Sequence, residues 1–308
     1  MRSTTQRVYS YRQQLQQSAF NGRVASVLVG SGALRQCGAG IYADWTTILN
    51  CTADYLGVEC DPTLMASHPT IAWEVLMRKA AKARDVQANE CEEKARNFVG
   101  SLVKECEQQL ERNRNSIAAE SLFTFIERRM PRSVMTLNFT PAPFCPTATS
   151  PLSTDDVVEY SVQSCPIWCM HGSRAKSDGL RLGVVRYSAL INSFTTWRNE
   201  YSMHRAGAPC LDQKREGVNA HHRFVADVME SPLLIAGCGL RHAEWTLWWL
   251  LASKARNEAR HESCPSAYIT ADALDDAQRL ALEGLHCNVI QVPCHADVWS
   301  MLEFLMER

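Results

Sequence analysis

Val27-Leu28-Val29-Gly30-Ser31-Gly32-Ala33 is the stretch that decides the fold. Three apolar residues run straight into the first glycine without alternation, which is typical of a strand buried on both faces of a parallel sheet. Glycine lets a backbone approach a pyrophosphate closely, and a following helix N-terminus offers free N–H groups to the anion. The stretch therefore predicts the first strand and glycine loop of a nucleotide-binding βα unit. An ordinary turn after a strand also uses glycine, and the motif alone leaves that alternative open.

The rest of the chain alternates apolar runs with segments of helical spacing. Strands are predicted at Val24–Val29, Ser133–Asn138, Val157–Val162, Ile167–Met170, Gly183–Tyr187, Leu233–Gly237, Ala267–Thr270 and Asn288–Val292. Helices are predicted at Gln6–Phe20, Asp44–Leu56, Ala189–Tyr201, Ala220–Met229, His242–Ala259, Leu274–Leu285 and Ala296–Met306. This alternation predicts an α/β fold built on a Rossmann-like parallel sheet.

One segment departs from the alternation. Between Ile71 and Met130 the chain is rich in Ala, Glu, Lys, Arg and Gln, lacks proline, and repeats apolar residues at helical spacing. We expect two to four helices here, inserted between the first two core strands. The predicted organisation is a single domain over residues 1–308. Its Rossmann-like core covers residues 21–60 and 131–308, and an inserted helical subdomain covers residues 61–130.

Composition excludes several classes of protein. Lys and Arg total 32 against 33 Asp and Glu, for a net charge of −1, so bulk charge gives no reason to expect nucleic-acid binding. Residues 1–17 are polar and do not resemble a secretory signal. The most apolar stretch, Pro232 to Ala252, is interrupted by Arg241, His242 and Glu244, so no membrane span is expected. The expected location is the cytoplasm, where the 13 cysteines would be reduced thiols.

The cysteine spacing does not favour a structural zinc site. No C-x-x-C pair occurs, and the nearest approach is Cys165-Pro166-Ile167-Trp168-Cys169. Structural zinc sites usually need two closely spaced pairs. We therefore expect no metal.

Three later segments carry polar residues at predicted strand ends: Met135-Thr136-Leu137-Asn138-Phe139, Cys169-Met170-His171-Gly172-Ser173 and Leu234–Leu240. Ligands of open parallel sheets bind at the carboxyl ends of the strands, and ribose hydroxyls can satisfy a buried Asn138 amide. A neutral imidazole at His171 suits a proton acceptor. Asn138 also fits a turn cap, and His171 also fits a structural histidine.

Taken in order, the four segments resemble the sirtuin superfamily. In that family a glycine loop holds the pyrophosphate of NAD, an asparagine contacts the ribose and positions the attacking group, and a histidine before glycine is the general base. The resemblance assigns catalytic roles to Asn138 and His171. It assigns NAD contacts to Gly30, Ser31, Gly32, Ala33, Thr136, Gly237, Cys238 and Gly239, the last three on the adenosine side. Without a four-cysteine ribbon, the chain is similar to the zinc-free branch of the family.

Other positions of the chain match the family pattern only in part. Asp44-Trp45 resembles the segment that flanks the nicotinamide-ribose pocket, although Trp45 equally fits a helix core. An aspartate commonly follows the motif asparagine by two residues and hydrogen-bonds the nicotinamide amide. Here that residue is Thr140, which can hydrogen-bond but carries no charge, and Gly239 replaces the family's serine.

The resemblance implies hydrolysis of NAD to nicotinamide and ADP-ribose, with NAD as substrate. The zinc-free branch includes antiphage-defence effectors that deplete NAD when a partner activates them. We therefore expect a homo-oligomer, or a complex with a separate sensor subunit that is nucleotide-sensing, Argonaute-type or an ATPase. The alternatives are a catalytically weak NAD or ADP-ribose-binding or scaffold subunit, and an NAD-dependent deacylase.

Two segments carry expectations about movement and assembly. The proline-rich segment 141–151 is the candidate lid over the site. Trp245, Trp248 and Trp249 crowd one predicted helix, which fits either burial against the sheet or an interface. The inserted helices are the better interface candidate, since they lie outside the sheet.

Overall fold

A computed structural model of the chain describes residues 24–40, 44–114, 122, 124–145, 149–152, 157–175, 179–205, 220–240, 244–258 and 264–307. The fold is α/β. Its strands are β1 (Ser26–Val29), β2 (Val134–Thr136), β3 (Val158–Val162), β4 (Cys165–Cys169), β5 (Leu233–Ala236), β6 (Ser266–Thr270) and β7 (Cys287–Gln291).

The described residues form eleven helices. They are α1 (Gly32–Gln36), α2 (Trp45–Leu56), α3 (Pro62–Ser67), α4 (Pro69–Arg84), α5 (Ala88–Asn113), α6 (Phe125–Arg129), α7 (Gly183–Arg205), α8 (Ala220–Met229), α9 (Trp245–Glu258), α10 (Asp276–Gly284) and α11 (His295–Leu305). The predicted helix Gln6–Phe20 lies outside the described residues.

The seven strands form one sheet in the order β3-β4-β2-β1-β5-β6-β7. Every neighbouring pair is parallel except β3 and β4, which are antiparallel. From β1 the chain builds outward through β2 and β4, then returns to β5 on the other side of β1. The winding direction therefore reverses between β1 and β5. Open α/β sheets bind their ligands at such a reversal, outside the carboxyl ends of the strands.

Helices cover both faces of the sheet. Along β1, Val27 and Val29 belong to one apolar cluster and Leu28 to the other, as the two-residue period of a strand requires. The first cluster includes side chains of α6 and α11, and the second includes side chains of α7, α8, α9 and α10. Burial on both faces explains why the β1 sequence is continuously apolar.

The helices α2, α4 and α5 share a third apolar cluster of their own. Trp73 and Leu76 of α4 are completely buried in it, together with Val99 of α5. Phe139 and Leu182 join this cluster, and Phe139 comes directly after Asn138 on the β2 end. The helices predicted between Ile71 and Met130 are therefore confirmed. They pack where the strand carboxyl ends emerge, and the division into core and inserted subdomain stays a prediction.

One predicted strand is wrong. Gly183–Tyr187 is the first part of the long helix α7, not a strand. Its β-branched residues favour a strand locally, but Tyr187, Leu190 and Phe194 are all buried, which is helical spacing. Packing of this face against the second apolar cluster overrides the local preference of the valines.

The described start of the proline-rich segment does not suit the lid predicted for 141–151. Ala142, Phe144 and Cys145 are buried, and all three belong to the apolar cluster on the α6 and α11 side of the sheet. Moving these residues as a flap would expose that cluster to water. Residues 146–148 lie outside the described residues.

No described helix combines the length and apolar character needed to cross a membrane. Within the described ranges, no group of three or more His, Cys, Asp or Glu side chains is arranged to hold a metal ion.

Candidate functional site

A cavity of about 620 Å³ opens at the carboxyl ends of β1, β2, β5 and β6. Its volume lies within the range of ordinary small-molecule sites. Most residues predicted to contact NAD line it: Gly30, Ser31, Gly32, Asp44, Trp45, Asn138, Thr140, His171, Gly237, Cys238 and Gly239. The fold therefore brings these predicted contact residues, which are far apart in the sequence, together in one cavity.

Two predicted contact residues are not part of the described lining. Ala33 is buried in the apolar cluster beside α11. Thr136 is completely buried, and its hydroxyl accepts a hydrogen bond from the Asn138 N–H at 3.1 Å. Thr136 thus supports the candidate catalytic residue rather than facing the cavity.

The glycines of the β1 loop allow two strand-end loops to touch. A Cβ atom on Gly30 would lie 2.6 Å from the Gly237 carbonyl oxygen, and one on Gly32 would lie 2.7 Å from the Gly237 Cα. Gly237 itself has a φ of +64°, in the left-handed region that favours glycine. Close packing between the β1 and β5 ends therefore requires these glycines whether or not a phosphate binds.

Most backbone donors of the same loop are already used. The Gly30 N–H donates to the Ala236 carbonyl at 3.2 Å and the Gly32 N–H to the Gly237 carbonyl at 2.9 Å. The Ala33 N–H donates to Gly30 at 3.2 Å. Among the described residues, the Ser31 N–H and hydroxyl take part in no hydrogen bond. Ser31 is therefore the donor that the loop can offer to a ligand.

The side-chain amide of Asn138 has a hydrogen-bonded Nδ2, and its Oδ1 accepts no hydrogen bond from the described residues. Its Nδ2 donates to the Gly30 carbonyl at 3.1 Å and so ties the β2 end to the β1 loop. Its Oδ1 receives no hydrogen bond from the described part of the chain, although the residue is only 6% exposed. Because Asn138 lines the cavity, a ligand or water there can donate to Oδ1. A turn cap would instead use Oδ1 to accept a neighbouring backbone N–H, which none of the described residues supplies.

His171 is buried and held by three hydrogen bonds. Its Nδ1 lies 3.0 Å from the Leu137 carbonyl oxygen and 3.1 Å from the Tyr187 hydroxyl, and its Nε2 lies 2.9 Å from the Thr246 hydroxyl. A carbonyl only accepts, so Nδ1 carries the proton and Nε2 accepts from Thr246. Burial lowers the pKa of His171 to about 4, with the Leu137 hydrogen bond opposing.

His171 is thus neutral at pH 7 but a weak base. Proton transfer is most efficient when the pKa of the base lies near the working pH. Its acceptor atom already faces Thr246, in the first turn of α9. Thr246 is completely buried and is not part of the described cavity lining, so His171 can take a proton from the cavity only after the Thr246 hydroxyl turns away. Sequence reasoning predicted His171 but not its contact with Thr246.

The buried histidine predicts a specific pH dependence of stability. Since its pKa is lower in the folded protein, stability is complete above the unfolded value of 6.5 and is lost as the pH falls toward 4. The loss from this residue is about 3 kcal/mol. Urea unfolding at several pH values should show this loss in the wild type and not in His171→Gln.

Comparison with His171→Gln isolates the histidine from other groups. Burial raises the pKa of Asp227, whose titration changes stability in the opposite sense, but it does so equally in both proteins. If the two unfolding free energies stay parallel from pH 7 to pH 4, His171 is not buried as a neutral group.

An aromatic wall closes one end of the cavity. The ring of Phe139 lies edge-on to Trp45, with centroids 5.9 Å apart, and Trp45 lies 6.3 Å from Tyr187. The Tyr187 ring is 4.7 Å from His171. Burial raises the pKa of Tyr187 well above its usual value, so its phenol is neutral. Trp45 therefore both packs against the third apolar cluster and lines the cavity, and its predicted place beside a nicotinamide-ribose pocket stays a prediction.

Charges line the rest of the cavity. Arg35 in α1 is the one Arg or Lys in the described lining, and its Nη2 lies 3.4 Å from Asp44 Oδ1. At the β6 end, His295 Nε2 lies 3.4 Å from Asp272 Oδ1. Glu244 also lines the cavity. Sequence reasoning missed Arg35, Glu244 and the pair at β6. Only Arg35 had a signal, since it follows the glycine loop by one helical turn.

Cys238 contributes an apolar surface rather than a reactive thiol. Its Sγ lies 3.6 Å from the Ala236 carbonyl oxygen, and burial raises its pKa well above the usual value. A thiol that stays protonated is a poor nucleophile. Gly239 beside it is exposed and has open space around it.

Comparisons with protein-family models, with curated proteins and with solved structures found no match to this chain. The function of the chain is therefore inferred from its motifs and from the geometry of the cavity.

Proposed function

We propose that the protein is an NAD hydrolase of the sirtuin-like type, which cleaves NAD to nicotinamide and ADP-ribose. One observation carries the proposal: three separate motif-bearing strand ends, at Gly30, Asn138 and Gly237, meet in one cavity. That cavity lies where the winding of a parallel sheet reverses, which is where α/β folds bind dinucleotides.

The cavity offers a suitable partner for each part of NAD. Ser31 supplies free donors for the pyrophosphate, and Arg35 supplies a cation once it leaves Asp44. The Asp272 carboxylate can accept hydrogen bonds from the adenosine ribose. Trp45 and Phe139 form the flat apolar wall on which a nicotinamide ring can pack.

The chemistry requires little acid or base assistance. Nicotinamide leaves the ribose as a neutral molecule, so no general acid is needed, and the ribose develops positive charge. The free Oδ1 of Asn138 can orient the attacking water or a ribose hydroxyl, and the carboxylates of Asp44 and Glu244 favour the developing charge. The water's proton can pass to His171 Nε2 only after the Thr246 hydroxyl has turned away from that atom. A base with a pKa of about 4 makes this last step slow.

The direct test is nicotinamide release from NAD by the purified protein. We expect nicotinamide and ADP-ribose in equal amounts, without any acyl-lysine peptide. Arg35→Gln should weaken NAD binding about tenfold, the cost of one charged hydrogen bond. Arg198→Gln in α7, outside the described lining, is the matched control. Absence of both NAD binding and release would exclude the proposal.

A second function has specific support. The weak base His171 and the uncharged Thr140 both fit a subunit that binds NAD or ADP-ribose without turnover, as a reporter or scaffold. Binding of NAD without nicotinamide release would identify that function. Release that depends on an acyl-lysine peptide, together with one zinc per chain, would instead indicate a deacylase.

Regulation through assembly belongs to the same proposal. An enzyme that depletes NAD endangers its host, so we propose a defence effector held inactive until a homo-oligomer forms or a sensor subunit binds. Tyr55 of α2 is 48% exposed, and its ring stacks on Phe98 of α5 at 4.3 Å, which gives a flat aromatic surface. Trp245 is 45% exposed, whereas Trp248 and Trp249 pack against the second apolar cluster.

The assembly proposal predicts little NAD turnover by an isolated monomer. Light scattering coupled to size exclusion, with an NAD assay on each peak, measures both quantities. Tyr55→Ser should shift the protein toward the inactive monomer, because it removes the stacked ring. A monomer with full activity would refute regulation by assembly.

A further inference from the structure

The proton-accepting atom of His171 is held against a buried hydroxyl. Thr246 Oγ1 donates to His171 Nε2 at 2.9 Å, and the two residues are 0% and 1% exposed. The other ring nitrogen donates its proton to the Leu137 carbonyl at 3.0 Å, so Nε2 is the ring atom that can accept a proton. Its lone pair is occupied by Thr246. The predicted general base is therefore closed in this structure.

The position of Thr246 in its helix explains the contact. Thr52 in α2 and Thr195 and Thr196 in α7 donate to the backbone carbonyl four residues earlier, at 2.7, 2.9 and 3.1 Å. Thr246 is the second residue of α9, so the position four residues earlier precedes the helix and offers no carbonyl of α9. The hydroxyl donates to His171 instead. Because both groups are buried, breaking this hydrogen bond without a replacement is unfavourable, which holds the contact in place.

The first turn of α9 connects this contact with the cavity and with the surface. Glu244 lines the cavity, and Trp245 is 45% exposed. The Trp248 N–H donates to the Glu244 carbonyl at 3.1 Å, which closes residues 244–248 into one helical turn. A displacement of this turn therefore moves Thr246 relative to His171. Helix shifts of about 1–2 Å are common in switching proteins, and a shift of that size breaks a hydrogen bond.

We propose that the Thr246–His171 hydrogen bond is an autoinhibitory contact, which keeps the general base closed in the isolated chain until the first turn of α9 shifts. This inference rests on the proposed function, and it names the contact through which assembly would act on the site. Thr246 is a positioning residue, since it acts through His171. Tyr187 of α7 also faces the imidazole, but its hydroxyl lies 3.1 Å from Nδ1 and does not compete for Nε2.

Nicotinamide release by the isolated monomer tests the contact directly. Thr246→Ala removes the hydroxyl and leaves room for a water molecule at Nε2. We expect this variant to release nicotinamide about tenfold faster or more, since a positioned general base contributes about 10²- to 10⁴-fold. Thr246→Ser keeps the donor and should stay as slow as the wild type. Thr196→Ala is the matched control, because Thr196 is an exposed helical threonine outside the described cavity lining.

The proton affinity of His171 gives an independent result that needs no turnover. Burial holds the pKa of His171 at about 4. A donor that bonds only to the neutral imidazole opposes protonation, so loss of the Thr246 hydroxyl should raise this pKa. Thr246→Val keeps the shape of the side chain and serves for this measurement, also if Thr246→Ala does not fold. NMR titration of the His171 ring proton measures the shift, and the acid limb of the pH–rate profile should move to higher pH with it.

Two outcomes overturn the inference alone. One is slower or unchanged nicotinamide release in Thr246→Ala while the wild type binds and cleaves NAD, in which case the proposed function stands. The other is an unchanged His171 pKa in Thr246→Val, because Nε2 then has no donor to lose. If neither the wild type nor any variant binds NAD, the proposed function fails and the inference fails with it.

Discussion

Replacing Asn138 with alanine should lower the rate of NAD cleavage about 10²- to 10³-fold, equivalent to about 2.7–4 kcal/mol. The Oδ1 of Asn138 accepts no hydrogen bond from the described residues and lies at the cavity, where it can orient the attacking water or a ribose hydroxyl in the transition state. Affinity for NAD should change much less, since the pyrophosphate contacts remain. Nicotinamide release and calorimetric binding measure the two quantities separately.

The same variant tests the structural alternative for Asn138. Loss of the hydrogen bond from Nδ2 to Gly30 should cost about 1 kcal/mol of unfolding free energy. Asn192→Ala, at an exposed position of α7, is the matched control and should leave turnover unchanged. A loss of stability large enough to unfold Asn138→Ala would make the residue a structural cap and remove it from the mechanism.

Replacing Gly30 with valine should destabilise the protein by about 3 kcal/mol or more. The new Cβ would meet the Gly237 carbonyl oxygen at 2.6 Å and the Cys238 Cα at 2.8 Å, and both are backbone atoms. Thermal and urea unfolding measure the loss. If the β1 glycines served only phosphate binding, Gly30→Val would weaken NAD binding and leave stability intact.

Gly100→Ala is the control for this substitution. Gly100 lies inside α5, and a Cβ there meets nothing within 4 Å. Alanine should stabilise the helix by about 0.5–1 kcal/mol, since glycine is unfavourable inside helices. If Gly30→Val lowers the free energy of unfolding and Gly100→Ala raises it, close backbone packing at Gly30, rather than the loss of a glycine as such, causes the destabilisation.

Sequence reasoning predicted the sheet because the strands have a distinct signature. Buried parallel strands are continuous apolar runs, so β1, β5 and β6 were found to within two residues. The error at Gly183–Tyr187 arose because valine favours strands locally, whereas packing along α7 decided the outcome. Preferences of single residues are weak against such tertiary contacts.

The candidate site could be predicted in part for a similar reason. Parallel strands bring their carboxyl ends to one edge, so Gly30, Asn138 and His171 met as expected. Thr246 could not be predicted, because packing alone brings α9 to the strand ends and Thr246 lies in no recognisable motif. The environment of His171 was equally hidden: a loop histidine proved to be fully buried, with a lowered pKa.

The central claim is that NAD binds and is cleaved in the cavity at the β1, β2 and β5 ends. A crystal structure with a carbocyclic NAD analogue, which cannot be hydrolysed, tests it most directly. We expect the pyrophosphate at Ser31 and Arg35 and the nicotinamide ring at Trp45 and Phe139. Binding of the analogue anywhere else on the protein, or an empty cavity at saturating analogue, would contradict it.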